Sequence, residues 1–380
     1  MFATVAHAGS ATIKIGVIMP YSGVFADAAA QVDAGLRLYM RQHGDTVAGK
    51  KIAIIRKDVG GINPALAKQL AQALVVRDHV DILAGFALTP NAIAAADVSR
   101  QAKVPLVIMN AATSAITAKS PYAVRVSMTM SQITAPFGTW VAKHGIKNVY
   151  IMVSDYGPGH DAEKAFAGTF TAAGGKVVGS VQMPAAETDF SSFVQRVKDA
   201  KPQAVFVFVP AGKPPAAMLK SLFEHGMTPD KIKILASGGL TDDSALKGVG
   251  DAMAGVLTAY HYDHTHKSAL NEKFVAAFRR RHNGLNPDIQ TVGGYDGMQL
   301  IYAAVKKTGG KTDGRSFIEA AKGMRWESPR GMIEIDPRTR DIVQTIYIRR
   351  LQKVNGKLQN VEIDRFENVK DPVKEEMRQK

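Results

Sequence analysis

The feature that most constrains this chain is a rhythm: short apolar runs closed by Pro, Gly or Ser turns, each followed by helical spacing. Residues 13–19 (Ile-Lys-Ile-Gly-Val-Ile-Met) stop at Pro20, and beyond a Ser/Gly turn apolar side chains recur at Val32, Leu36 and Met40, one face of a helix. Segments 51–57, 80–84, 104–109, 148–153, 176–182, 204–209 and 232–236 repeat the strand half of this pattern. Strands separated by helices form parallel sheets through right-handed crossovers, with helices on both faces. The expected class is α/β, doubly wound.

These strands outnumber one ordinary sheet, and the rhythm restarts near Asn148 after the helix-like segment 131–144. A chain of 380 residues also exceeds what a single core usually serves. Two lobes are expected, with no repeat between them. The last third holds helical patterns at 269–281 and 290–307 and β-like runs at 332–335 and 342–350, and a charged tail from Asp364 reads as peripheral.

Composition removes several classes of function. The net charge is +14, from 48 basic and 34 acidic residues, but the basic residues are scattered. Their densest cluster, Arg279-Arg280-Arg281-His282, reads as an exposed helix end. Without a basic face interleaved with aromatics, nucleic acid is not the expected partner. The absence of cysteine excludes disulfides and thiolate chemistry. No run of about 18 apolar residues is present. Residues 1–10 contain Ala6-His7-Ala8, the small-x-small form of a signal-peptidase site, and read as a leader or signal remnant of an exported protein.

Enzyme signatures fail in turn. The first strand–helix turn, Met19 to Ala26, lacks the G-x-G-x-x-G that brings backbone up to a phosphate, and no P-loop or G-x-S-x-G elbow follows. The run His261-Tyr262-Asp263-His264-Thr265-His266 has metal-like composition but lies in a connection, so it reads as a solvated linker. Asp242-Asp243 reads as helix capping. No metal, cofactor or catalytic residue is expected.

In an open α/β sheet, ligands sit outside the carboxyl ends of the strands. The turns there are rich in small residues, hydroxyls and aromatics: Tyr21, Ser22 and Phe25 after the first strand, Phe86, Leu88 and Thr89 after the third, and Asn110, Ala111, Ala112 and Thr113 after the fourth. Free N–H groups at the helix starts following Thr89 and Thr113 would hold an anion, or the hydroxyls serve simply as caps. The second half offers Tyr156, Pro210, Gly238 and Gly239 at equivalent places.

Taken in order, Ile15-Gly16-Val17 through Pro20-x-Ser22-Gly23, Val80 to Gly85, Val104-Pro105-Leu106 through Ala111-Ala112-Thr113, Tyr122 to Arg125, Asp155-Tyr156-Gly157 with Gly159, and Gly294-Tyr295-Asp296 resemble the leucine/isoleucine/valine-binding type of periplasmic solute-binding protein. The likeness spans about residues 11–360. It implies two Rossmann-like lobes, 11–127 with 260–335 and 128–259 with 336–365, joined by three hinge crossings near 126–130, 258–262 and 333–341. It further implies a monomer in the periplasm, delivering a small ligand to the membrane permease of an ABC importer. By the same resemblance a ligand carboxylate rests at Thr89, Ala111 and Thr113, and Tyr156 closes over it.

The family's usual acidic partner for an ammonium aligns near Gly238 or Gly239, and its aromatic near Ala211; here all three are small. An ammonium buried without that partner suffers uncompensated desolvation. The expected ligand is therefore an aromatic acid, of benzoate or phenylpropenoid type, in a slot lined by Tyr21, Phe25, Phe86 and Tyr156. The alternatives are a branched-chain amino acid or amide, or a ligand-sensing receptor domain. Asp296 reads as a helix cap or as an acceptor for a ligand hydroxyl, and Arg125 as a structural partner for a carboxylate between the lobes.

Overall fold

The computed structural model describes residues 12–246 and 249–376; the leader expected at 1–10 lies outside them. The first sheet comprises β1 (Thr12–Met19), β2 (Thr46–Val47), β3 (Lys50–Asp58), β4 (Ile82–Gly85), β5 (Leu106–Ile108) and β6 (Ala123–Arg125), in the order β2-β3-β1-β4-β5-β6. All its pairings are parallel except that of the edge strand β2. The second sheet holds β7 (Asn148–Ser154), β8 (Lys176–Met183), β9 (Ala204–Phe208), β10 (Lys233–Ser237) and β11 (Leu257–Tyr260), again parallel. An antiparallel extension follows from β12 (Arg325–Ser328), β13 (Gly331–Ile335), β14 (Ile342–Val354) and β15 (Lys357–Val369). Two doubly wound lobes result, as expected.

The apolar content of the strands explains the layering. Ile15 and Val17 of β1 pack into one core with Val32 and Leu36 of the helix Ala26–His43 and Val292 of the helix Ile289–Lys307, while Ile18 faces a second core with Ala67, Ala71 and Leu74. Each such side chain removed from water contributes about 1.5–3 kcal/mol, and only strands covered on both faces can be this apolar throughout.

The segment from Asp364 is peripheral, as expected, but it is also a strand. Residues 364–369 belong to β15, which pairs with β14 along most of its length, and Trp140 Nε1 donates to Asp364 at 2.7 Å. Its charges alternate on the open face of an edge strand, and that alternation mimics a solvated tail.

The chain passes from one lobe to the other after β6, after β11, and between the helix Gly314–Ala321 and β12. Three fully buried arginines lock these regions, each on an aspartate and on main-chain carbonyls. Arg125 Nε donates to Asp341 at 2.8 Å, and its Nη1 to the carbonyls of Ala111 and Thr113 at 3.0 and 2.8 Å. Arg330 donates to Asp296 at 2.9 Å, to Ser127 O at 3.0 Å, to Gln344 at 2.6 Å and to Val126 O. Arg349 donates to Asp263, Tyr262 O and Gly238 O at 3.0, 2.8 and 3.0 Å. Planar guanidinium forks suit this divided role.

The solvated-linker reading of 261–266 fails, because His261, Tyr262 and Asp263 are buried against Arg349 at the second passage. Burial, reinforced by Arg330 and Arg349, holds His261 far below the usual imidazole range, hence neutral. Among the described residues, no cluster of three or more His, Asp or Glu could hold a metal ion, and no helix is long and apolar enough to cross a membrane.

Candidate ligand-binding cleft

The carboxyl ends of both sheets face a shared cleft. Between them lies a cavity whose empty space, open mouth included, is about 530 Å³. Seven residues expected from the sequence line it: Phe25, Leu88, Asn110 and Ala112 from the first lobe, and Tyr156, Pro210 and Gly239 from the second.

The other expected residues stand behind this wall. Tyr21 and Ser22 form a turn whose N–H groups donate to Asp58 at 2.8 and 3.3 Å. Phe86 is buried in the outer core of the first lobe. The N–H of Ala111 is committed to Phe86 O at 2.9 Å, and the Thr89 hydroxyl accepts from Thr113 N at 3.4 Å. Gly238 lends its carbonyl to Arg349 at 3.0 Å. Asp296 does not reach the cleft: it is fully buried, with Arg330 at 2.9 Å and Ser328 at 2.9 Å as its donors.

Sequence reasoning missed Met128, Phe208, Tyr260 and Gln290 of the lining. Tyr260 ends β11, so the strand-end rule could have found it. Gln290 comes from the first turn of a helix remote in sequence, and no local signal marks it.

The lining is mostly apolar and aromatic. Tyr156 lies over Phe208 with ring centroids 6.1 Å apart and planes 19° from parallel, an offset stack. Burial pushes the hydroxyls of Tyr156 and Tyr260 well above the usual phenol range, so both stay protonated donors. At one end of the cavity the positive end of the helix Gly157–Ala172 begins at Tyr156; in its first turn Pro158 has no N–H and those of Gly159 and His160 donate to Tyr156 O at 2.9 and 3.1 Å, which leaves the Gly157 N–H for a ligand. Beside it the buried Thr113 hydroxyl has no partner among the described residues. The positive helix end favours an anion there.

The two lobes touch across the cleft. Ser114 N donates to Asp161 Oδ2 at 2.9 Å, and Lys213 N donates to Val24 O at 3.0 Å. Two glycines permit this approach: a Cβ on Gly157 would lie 2.5 Å from Thr113 Oγ1, and one on Gly212 would lie 2.4 Å from Val24 O. This is a closed cleft.

Comparison with known proteins agrees with this geometry. The family model described as "Periplasmic binding protein" matches residues 12–357. A Leu/Ile/Val-binding protein homolog of Brucella melitensis biotype 1 is 44% identical over 362 residues, covering 95% of this chain and 93% of its own. Among solved structures, a solute-binding protein of an ABC transporter from Rhodopseudomonas palustris BisB5, in complex with 3,4-dihydroxybenzoic acid, is 50% identical with a TM-score of 0.92, covering 96% of this chain and 99% of its own. A second from R. palustris, in complex with 4-hydroxybenzoate, is 42% identical with a TM-score of 0.91, covering 95% and 98%.

Proposed function

The chain belongs to the periplasmic binding protein family, and from that premise we propose that it captures a hydroxybenzoate-type aromatic monocarboxylate between its lobes and delivers it to the permease of an ABC importer. The observation that carries this reading is the lining of the cleft: Phe25, Tyr156, Phe208 and Tyr260 surround a slot with the positive end of the helix Gly157–Ala172 at one end. A flat ring fills such a slot by dispersion and area burial, and its carboxylate meets the positive end of the helix Gly157–Ala172 at the Gly157 N–H. The relatives solved with hydroxybenzoates support the ligand class.

The protein works in the periplasm as a monomer and performs no chemistry on its cargo. We set its lobe boundaries after β6, after β11 and between the helix Gly314–Ala321 and β12, which moves the third from the expected 335/336 because β12 and β13 pair within the second sheet. Binding then couples to rotation about the passages between lobes, closing Ser114 onto Asp161 and Lys213 onto Val24.

The test is a thermal-shift screen of protein refolded free of carried ligand. A ligand that binds only the folded state raises its stability by about 2.7 kcal/mol at a hundredfold excess over Kd. The expected result is stabilisation by 4-hydroxybenzoate and 3,4-dihydroxybenzoate and none by leucine, isoleucine or valine. Stabilisation by leucine with no response to any aromatic acid would establish the amino-acid reading instead.

A further inference from the structure

Asp242 stands apart from every other acid near the cleft. Four carboxylates, Asp242, Asp243, Asp263 and Asp288, border a small cavity behind the ligand slot. Asp263 is satisfied by Arg349 and by Asn360, at 3.0 and 2.7 Å. Asp288 caps the helix Ile289–Lys307 through Thr291 N at 2.9 Å, and the Gln290 amide, with its nitrogen turned inward, donates to it at 2.9 Å. Asp243 accepts from Asn286. The Asp242 carboxylate accepts no hydrogen bond from any described residue; its main-chain carbonyl alone serves the turn, receiving Ala245 N at 2.8 Å. The capping role expected for its side chain is therefore not what the structure contains.

What separates Asp242 from the ligand slot is Gly239, which has no side chain. A methyl placed there would lie 3.8 Å from Asp242 Oδ2 and 3.8 Å from the Tyr260 hydroxyl, so both polar groups stand at the same gap in the wall. The hydroxyl of Tyr260 is likewise without a partner among the described residues, and its ring is fixed by the Arg349 guanidinium 5.5 Å from the centroid. Arg349 also grips Gly238 O at 3.0 Å, so the gap is held open by a rigid loop.

Resting on the hydroxybenzoate reading, we propose that Asp242, with Tyr260, is the specificity determinant that recognises a ring hydroxyl of the ligand, reached through the gap at Gly239. The phenolic O–H donates to the Asp242 carboxylate, and the phenolic oxygen accepts from Tyr260. Burial and the charge of Asp288 push the Asp242 carboxyl well above the usual range, so in the absence of a ligand its charged form is costly and a donor arriving from the ligand relieves that cost. An acid without a ring hydroxyl leaves Asp242 unsatisfied in the closed cleft, and a site built in this way discriminates strongly against the analogue that lacks the group.

The experiment is calorimetric titration of the full chain and of two variants, D242N and G239A, with benzoate, 3-hydroxybenzoate and 4-hydroxybenzoate. A hydrogen bond to a charged group is worth about 1.5–3 kcal/mol, or roughly 10–100-fold in affinity. The natural chain is expected to prefer one of the hydroxybenzoates over benzoate by that factor, and each variant to reduce the ratio to within about threefold. G239A keeps the test decisive where D242N folds poorly, because its methyl meets nothing nearer than 3.8 Å. A ratio that persists in both variants overturns the assignment, as does a natural chain that binds benzoate and both hydroxybenzoates alike; in either case the aromatic-acid reading stands. Failure of all three acids to bind overturns that reading as well. Leucine binding that D242N abolishes would make Asp242 an ammonium partner and overturn both.

Discussion

Replacing Gly212 with alanine weakens ligand binding by roughly 10–100-fold, equivalent to about 1.4–2.8 kcal/mol, while the ligand-free protein stays folded. Gly212 follows β9 at φ +118°, and its Cβ would meet Val24 O at 2.4 Å and Phe25 Cα at 3.1 Å, both main-chain atoms of the opposite lobe. Neither can yield without moving the first strand–helix turn. The clash exists only when the cleft is closed, so it taxes the closed state selectively, and affinity falls by the fraction of competent molecules lost.

Backbone strain at positive φ is present in both open and closed forms and lowers stability without altering affinity. Gly174 supplies the control. It has φ +91° with no atom within 4 Å of its Cβ position, so G174A introduces the strain without the interlobe contact. Titration should show the loss in G212A alone, and X-ray scattering of G212A with saturating ligand should show a more open envelope. Equal affinities in the two variants would remove Gly212 and Lys213 from the closing contact.

Replacing Arg330 with methionine is expected to cost about 3–5 kcal/mol, because removing one partner of a buried pair strands the other as an uncompensated charge. Here Asp296 would be left fully buried with only Ser328 and Trp326 as donors, at 2.9 and 3.5 Å, while Ser127 O and Gln344 lose their guanidinium. For a chain of this size the melting temperature should fall by about 5 °C. Adding D296N to R330M should recover part of the loss, since the stranded charge is removed with it. If R330M melted within about 2 °C of the natural chain, the pair would contribute no more than a surface ion pair does.

The alternating apolar runs specified the parallel strands and both lobes well, because a strand covered on two faces has to be apolar along its whole length. They missed β15, where one open face carries charge and the pattern from Asp364 onward reads as a peripheral tail. The cleft was legible where it is made of strand-end turns: Asn110, Tyr156 and Gly239 each lie two residues past a strand, and Phe25 closes the turn that follows β1. It was not legible where a residue near a turn faces away. Phe86 belongs to such a turn, yet it points into the outer core, and Ala111 spends its N–H on Phe86 O. Gln290 lay beyond reach for a different reason, since only the tertiary fold brings that helix beside the strand ends. Asp242 was placed in the right loop but given a cap's role, because adjacency to a helix start is visible in sequence and the lack of a hydrogen-bond donor is not.

The passages between lobes also govern how the chain is made. The first sheet is complete at Arg125, but the helix Ile289–Lys307 that covers one of its faces, and the Arg330 that locks the first passage, lie far downstream. During synthesis from the N-terminus that sheet face is covered only by the helix Ala26–His43 until most of the polypeptide has emerged. Neither lobe can therefore mature as an independent nascent domain, and a translation product stopped at β11 should be captured by holdase chaperones or degraded rather than accumulate as a folded half-protein.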